Sequence, residues 1–224
     1  MVGTGGTISG ISAYLLPRLP NLLVVLADPQ GSGLYNSIKY GVLYSDTEKE
    51  GTRRRHQVDS LVEGIGLNRS TRNFEKGRAD IHEAVKVTDA MAVGMGRWLI
   101  QNDGSPHTSC YVLLLSSVLS RGEGGFVGGS LSLTSFGTFS VLMLGLFVGS
   151  SSCVNLCAAV HIAQQLGPGH RIVTLLCDSG SRHLSKFYND EWLKAQGMAV
   201  QEKYDDLSFL DHLQDAGNIL KKSV

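Results

Sequence analysis

Three stretches of this chain place chemically useful residue types at spacings that could bring them to one point. The first is Gly3-Thr4-Gly5-Gly6-Thr7-Ile8-Ser9-Gly10. A glycine-rich turn entering a helix aims several backbone N–H groups at one place, and the helix dipole favours an anion there. The hydroxyls of Thr4 and Thr7 add donors, so the chemistry this suits is holding a phosphate monoester. A plain glycine-rich turn accounts for the same residues equally well. A dinucleotide fingerprint would need Gly or Ala where Ile8 stands, and a Walker loop would need a Gly-Lys-Ser/Thr ending that is absent.

The second stretch runs from Val173 to His183, with Asp178-Ser179-Gly180 just past an apolar run. Polar residues beyond the carboxyl end of a parallel strand occupy the usual ligand position of open α/β sheets, although a helix cap explains them too. The third is Gly149-Ser150-Ser151-Ser152-Cys153-Val154-Asn155. Three serines before a helix are ordinary caps, and no spacing identifies the histidine base and orienter that a catalytic serine requires. His161, His170 and His183 read as surface or satisfied core residues.

These stretches need elements to carry them. Thr7–Leu16 reads as a short helix, ended by Pro17 and Pro20. Leu22–Ala27 is a continuous apolar run suited to a strand buried on both faces, and Arg171–Cys177 is another. Leu34–Tyr40 suits a short helix, 45–60 a polar loop, Ala84–Thr88 a strand and Asp89–Ile100 a helix. Val154–Leu166 is an apolar-faced helix closed by Gly167-Pro168-Gly169, and Lys203–Lys222 reads as a peripheral helix. Strands separated by helices imply an α/β layered fold with a parallel sheet.

Composition excludes some functions. The 224 residues carry 20 basic and 20 acidic side chains, and this balance argues against a nucleic-acid partner. Cys110, Cys153, Cys157 and Cys177 form no CxxC pair, so they read as buried thiols in a reducing compartment, with no metal site. The opening residues show no secretory signal. Charge is unevenly spread, and residues 124–170 carry no Asp, Glu, Lys or Arg.

Taken together, GTGGTISG at 3–10, VEGIG at 62–66, GSSSCVNLCAA at 149–159 and IVTLLCDSGSRHLSKFYN at 172–189 resemble the cysteine synthase family in motif and order. That family belongs to the fold-type II pyridoxal-phosphate enzymes, with cystathionine β-synthase and the tryptophan synthase β chain, and the wording is closest to its fungal branch. The resemblance implies a three-layer parallel-sheet sandwich with its amino-terminal subdomain largely missing. It implies that Gly3, Thr4, Gly5, Gly6 and Thr7 cradle the phosphate of pyridoxal 5'-phosphate and that Ser179 hydrogen-bonds the pyridine nitrogen. Gly64 would belong to the loop lining the substrate side. The implied reaction is β-replacement, in which an O-activated serine and sulfide give cysteine.

The resemblance also marks what does not match. The family's covalent lysine lies upstream of the GTGGT loop, and no lysine here falls in a motif that replaces it. No catalytic residue is therefore assigned, and the expectation is an inactive carboxyl-terminal fragment. Residues 1–104 and 146–197 would form the incomplete enzyme domain, and 198–224 a tail or helix. Between them Ser105–Gly145, rich in Gly, Ser and Leu, has no family counterpart and reads as a translated intron or an inserted loop. Its continuation to Val148 is long and uncharged enough to raise a membrane-associated variant through 126–148, a reading opposed by the fold's need to bury the end of that run. The remaining alternative is a non-catalytic fragment that pairs with full-length subunits, since family members are homodimers. The implied partner is a small amino-acid substrate, and the implied location is cytoplasmic or mitochondrial.

Overall fold

The computed structural model describes residues 2–45, 58, 60–103, 112–117, 139–141, 147–167, 169–211 and 213. The chain divides into two compact units, one of residues 2–89 with Leu213 and the other of residues 90–211. It is a mixed helix-and-strand chain with a small parallel sheet, compatible with the α/β expectation.

In the first unit, helix α1 spans Gly6–Leu15 and strand β1 spans Val25–Pro29. Helix α2 covers Leu34–Tyr40, α3 Arg72–Gly77, and β2 Glu83–Val87. Strands β1 and β2 pair in parallel, from Val25 opposite Glu83 to Pro29 opposite Val87. The apolar run at 22–27 therefore enters the sheet a few residues later than its hydrophobicity suggests. Proline lacks an N–H, but Pro29 ends the strand, and the next amide, Gln30, donates to Val87 O at 2.9 Å. Val2, Leu26, Leu34, Tyr35, Phe74, Ile81 and Ala84 form the core.

Helix α1 inverts the usual amphipathic pattern. Ser9 and Ser12 face inward while Ile11 and Tyr14 face solvent. The inward serines are satisfied by α3 and its continuation: Ser9 donates to Asn73 O at 2.7 Å and Ser12 to Asp80 at 3.1 Å. A Cβ on Gly77 would lie 2.3 Å from Ser9 Oγ, so the two helices approach through small residues. Helix α3 had no hydrophobic periodicity in the sequence; it is short, buries Phe74 alone of its large side chains, and is started by Thr71, whose hydroxyl accepts from Phe74 N at 3.2 Å.

In the second unit, α4 (Asp89–Asp103) and α5 (Ser150–Leu166) are the long helices. Strand β3 spans Val112–Ser117, β4 Phe139–Val141 and β5 Arg171–Leu175, and α6 covers Asp190–Ala195. Here the sequence expectation of parallel, two-side-buried strands needs correction. Strand β3 lies between β4 and β5 and is antiparallel to both, so parts of the 105–145 stretch are strands. Strand β5 is not buried on both faces: Val173 is 58% exposed while the adjacent residues are half-buried.

The expected helix at 203–222 is also corrected over the described residues. They run as coil into a 3-10 turn at Ser208–Leu210, with Tyr204, Leu207 and Leu210 buried. Gln101 on α4 holds this segment by accepting from Tyr204 N at 2.8 Å and donating to Glu202 O at 3.0 Å. Those bonds satisfy an extended backbone, which removes the advantage of a helix there. Residues 126–138, 142–146 and 214–222 lie outside the described residues. Among the described residues no helix is long and apolar enough to cross a membrane.

One buried charge makes the first unit sensitive to pH. Asp28 on β1 is fully buried, and burial raises its carboxyl to about 6, against hydrogen bonds from Ser32 and the Tyr35 N–H. Between about pH 4 and about pH 6 the folded chain holds a proton that the unfolded chain has released, so stability falls as pH rises through that window. At about 1.4 kcal/mol per pH unit the effect reaches about 3 kcal/mol. Urea unfolding of Asp28→Asn against the parent chain should show the variant's relative stability rising by up to that amount from pH 4 to pH 7. A difference that stays flat with pH would rule out the buried proton.

Candidate functional site

The first unit brings Gly3–Thr7 and Gly64 together. Gly5, at φ 87°, is the N-cap of α1, and a Cβ there would fall 2.6 Å from Phe74 Cα. Only glycine fits, for conformation and for space. No side chain caps α1 and its first turn holds no acidic residue, while Thr4, Gly6 and Thr7 are exposed. The amides at the start of α1 and the two threonine hydroxyls therefore form a neutral, donor-rich end that suits an anion. Thr4 is braced from behind, its carbonyl accepting from Thr71 Oγ1 at 2.7 Å.

The VEGIG loop lies directly against this turn. Gly66 N donates to Val2 O at 2.8 Å, and a Cβ on Gly3 would sit 3.0 Å from Gly64 O. The loop is tied at its other end by the buried carboxylate of Asp89, which accepts from Ser60 Oγ at 2.6 Å and Leu61 N at 2.8 Å. Gly64 itself is exposed at φ 80° with nothing near its Cβ direction. Sequence reasoning missed Thr71 and Asp89; both act through contacts distant in sequence, for which local patterns carry no signal.

The second unit positions Ser179. The segment 147–149 runs antiparallel to 178–180: Val148 bridges Ser179, Gly149 N donates to Asp178 O and Gly180 N to Phe147 O, each at 2.9 Å. The start of α5 fastens the same edge. Ser152 Oγ accepts from Cys177 N at 2.8 Å, and Asn155 donates to Leu175 O at 2.7 Å. Ser152 is therefore a structural linker, and the capping reading of the serine run is corrected: α5 already includes Ser150–Ser152, its N-cap is Gly149, and no side chain caps it. Tyr188 adds a further pin, donating to Val148 O at 2.5 Å.

Ser179 has a defined donor role. Its Oγ accepts from Ser181 N at 3.3 Å and from Ser181 Oγ at 3.0 Å. A hydroxyl with both acceptor positions used retains one proton to donate. Ser179 thus suits a neutral acceptor such as an unprotonated ring nitrogen. The thiols nearby are unsuited to nucleophilic work: burial pushes Cys153 up to about 12 and Cys157 well above the ordinary range. Among the described residues no group of His, Cys, Asp or Glu could hold a metal ion. His161 contacts Gln165 at 2.9 Å, and His183 contacts Asp178, so both are partnered as expected.

The chain is similar to cysteine synthase 2 of Emericella nidulans, 50% identical over 207 residues, 92% of this chain and 38% of that protein. Cysteine synthase 2 of Schizosaccharomyces pombe is 47% identical over 199 residues, 89% of this chain and 40% of that protein. The chain belongs to the cysteine synthase family. A cystathionine beta-synthase of Dictyostelium discoideum is 28% identical over 200 residues, 89% of this chain and 29% of that protein. This chain spans about two fifths of the length of the fungal cysteine synthases. No family model matches it.

The pairing of 147–149 with 178–180 leaves no room for a side chain on Gly149, whose Cβ would sit 1.9 Å from Asp178 Oδ1 and 2.8 Å from His183 Nε2. Gly149→Ala is expected to destabilise the second unit by about 3 kcal/mol in denaturant unfolding. Gly10→Ala, at an exposed helical position with nothing within 4 Å, is expected to stabilise the first unit by up to about 1 kcal/mol. A Gly149→Ala chain as stable as the parent would contradict the pairing.

Proposed function

We propose that residues 1–104 and 146–197 carry the cofactor-holding residues of a cysteine synthase of fold type II, built as a three-layer sandwich around a parallel sheet. The observation that carries this reading is the Ser179 hydroxyl, satisfied as an acceptor and left with one proton to give. Pyridoxal 5'-phosphate, when bound, supplies an electron sink for the Cα of an amino-acid substrate. In this reading Gly3, Thr4, Gly5, Gly6 and Thr7 hold its phosphate through backbone amides and two hydroxyls. Ser179 donates to the ring nitrogen. A neutral donor leaves that nitrogen unprotonated, moderates the sink, and so favours β-elimination and replacement over transamination.

Gly64 would lie on the substrate side, where the absence of a side chain keeps the loop open beside Gly3. The reaction served is replacement of the activated hydroxyl of an O-activated serine by sulfide, giving cysteine. None of the chain's lysines stands in a motif matching the family's covalent lysine. Covalent attachment and movement of the α-proton are therefore assigned to no residue here, and the 224-residue chain by itself is proposed to hold the cofactor reversibly without turnover.

Fluorescence titration of the chain with pyridoxal 5'-phosphate tests this. Saturable binding is expected, with competition by inorganic phosphate and no adduct fixed by borohydride. Ser179→Ala should weaken cofactor binding about fivefold, the size of one lost neutral hydrogen bond, while competition by phosphate persists. Thr7→Glu should remove both. A borohydride-fixed adduct at one lysine, or turnover of an O-activated serine, would overturn the non-covalent part. Absence of saturable binding would overturn the whole reading.

A further inference from the structure

We propose that Asp178 and His183 form a clasp that positions the Ser179 hydroxyl, an assignment that rests on the cofactor reading for its purpose but not for its geometry. The two residues bracket the turn that holds Ser179. Asp178 immediately precedes it, and His183 closes the 3-10 turn Gly180–His183 that Ser179 caps. Nε2 of His183 lies 2.8 Å from Asp178 Oδ2, with only 12% of the histidine and 26% of the aspartate side chain exposed. The imidazole therefore donates to a carboxylate largely removed from solvent, where a charge-assisted hydrogen bond holds its geometry firmly.

The clasp is seated on backbone. The same Gly149 Cα that could carry no Cβ faces both Asp178 Oδ1 and His183 Nε2, and the Gly149 amide donates to the Asp178 carbonyl. Among the described residues Asp178 Oδ1 is buried with no hydrogen-bond partner, so the side chain's hold on the turn runs through Oδ2 and His183. Both contacts that use up the acceptor capacity of Ser179 come from Ser181, inside the bracketed turn. The shape of that turn therefore decides where the remaining proton points. A four-residue 3-10 segment has poor hydrogen-bond geometry of its own, and the Asp178–His183 pair supplies the missing restraint. Asp178 and His183 are positioning residues; neither is assigned contact with a ligand.

The test compares the 224-residue chain with His183→Leu, which removes the donor, and His183→Gln, which restores an amide N–H at a similar reach. Amide hydrogen exchange at Gly149 and Gly180 reads the clasp without any ligand. His183→Leu should speed exchange at both at least tenfold while the α4 amides of Val93 and Leu99 keep their rates, and His183→Gln should return both toward the parent. Unchanged exchange at Gly149 and Gly180, or an equal loss throughout the unit, overturns the proposal. Titration with pyridoxal 5'-phosphate and with its 1-deaza analogue, which has carbon in place of the ring nitrogen, then reads the purpose. His183→Leu should weaken the first as much as Ser179→Ala does and leave the second unchanged; equal weakening of both overturns the positioning role. If the parent chain binds neither compound, the cofactor reading fails, and the exchange result alone stands for or against the clasp.

Discussion

Backbone pairing between 147–149 and 178–180 is possible only because both partners lack a side chain at the closest approach. Gly149 lies against the Asp178 carboxylate, and a Cβ on Gly180 would fall 2.6 Å from the Phe147 ring. The rest of the second unit is arranged around that edge. Ser152 and Asn155 on the first turns of α5 fasten the end of β5, and Tyr188 holds Val148 from the chain beyond the turn. Buried polar groups are costly unless paired, and here the pairs fall where they fix one short turn. The outcome is a serine with its acceptors committed and its proton available.

The first unit reaches a comparable outcome by other means. Its exposed amides at the start of α1 are offered because nothing caps them, and nothing caps them because Gly5 stands at the N-cap position against Phe74. Asp89 and Val2 fasten the two ends of the neighbouring loop, which leaves Gly64 exposed beside Gly3. In both units the groups these turns present are small or neutral, and a carboxylate, Asp89 in one and Asp178 in the other, braces the segment through hydrogen bonds.

Much of this was legible in the sequence. Helix α2 matched its expected bounds, α1 and β2 came within one residue, and the glycine turn leading into α1 was placed correctly. Periodicity and capping chemistry are local, so local sequence reports them. Helix α3 was invisible because six residues with Phe74 as their one large apolar side chain show no periodicity, and its stability comes from the burial of Phe74, packing on Ser9 and the Thr71 cap. The tail at 203–211 has helix-like leucine spacing, yet Gln101 claims its backbone groups from about a hundred residues away. Strand direction at β5 was misread because hydrophobic runs do not record which strand pairs beside them.

Sequence alone determined the chemical inventory: the anion-suited glycine turn, the hydroxyl at Ser179, cysteines that form no metal motif, and the family to which the chain belongs. Those follow from residue type and order, which no folding step alters. Tertiary structure decided the roles of residues whose partners are remote. It made Ser152 a fastener, set Asp89 behind the 60–66 loop and brought Tyr188 to the Val148 carbonyl. The physical reason is that a hydrogen bond depends on distance and angle in space, and local pattern carries neither once the partners lie on different elements.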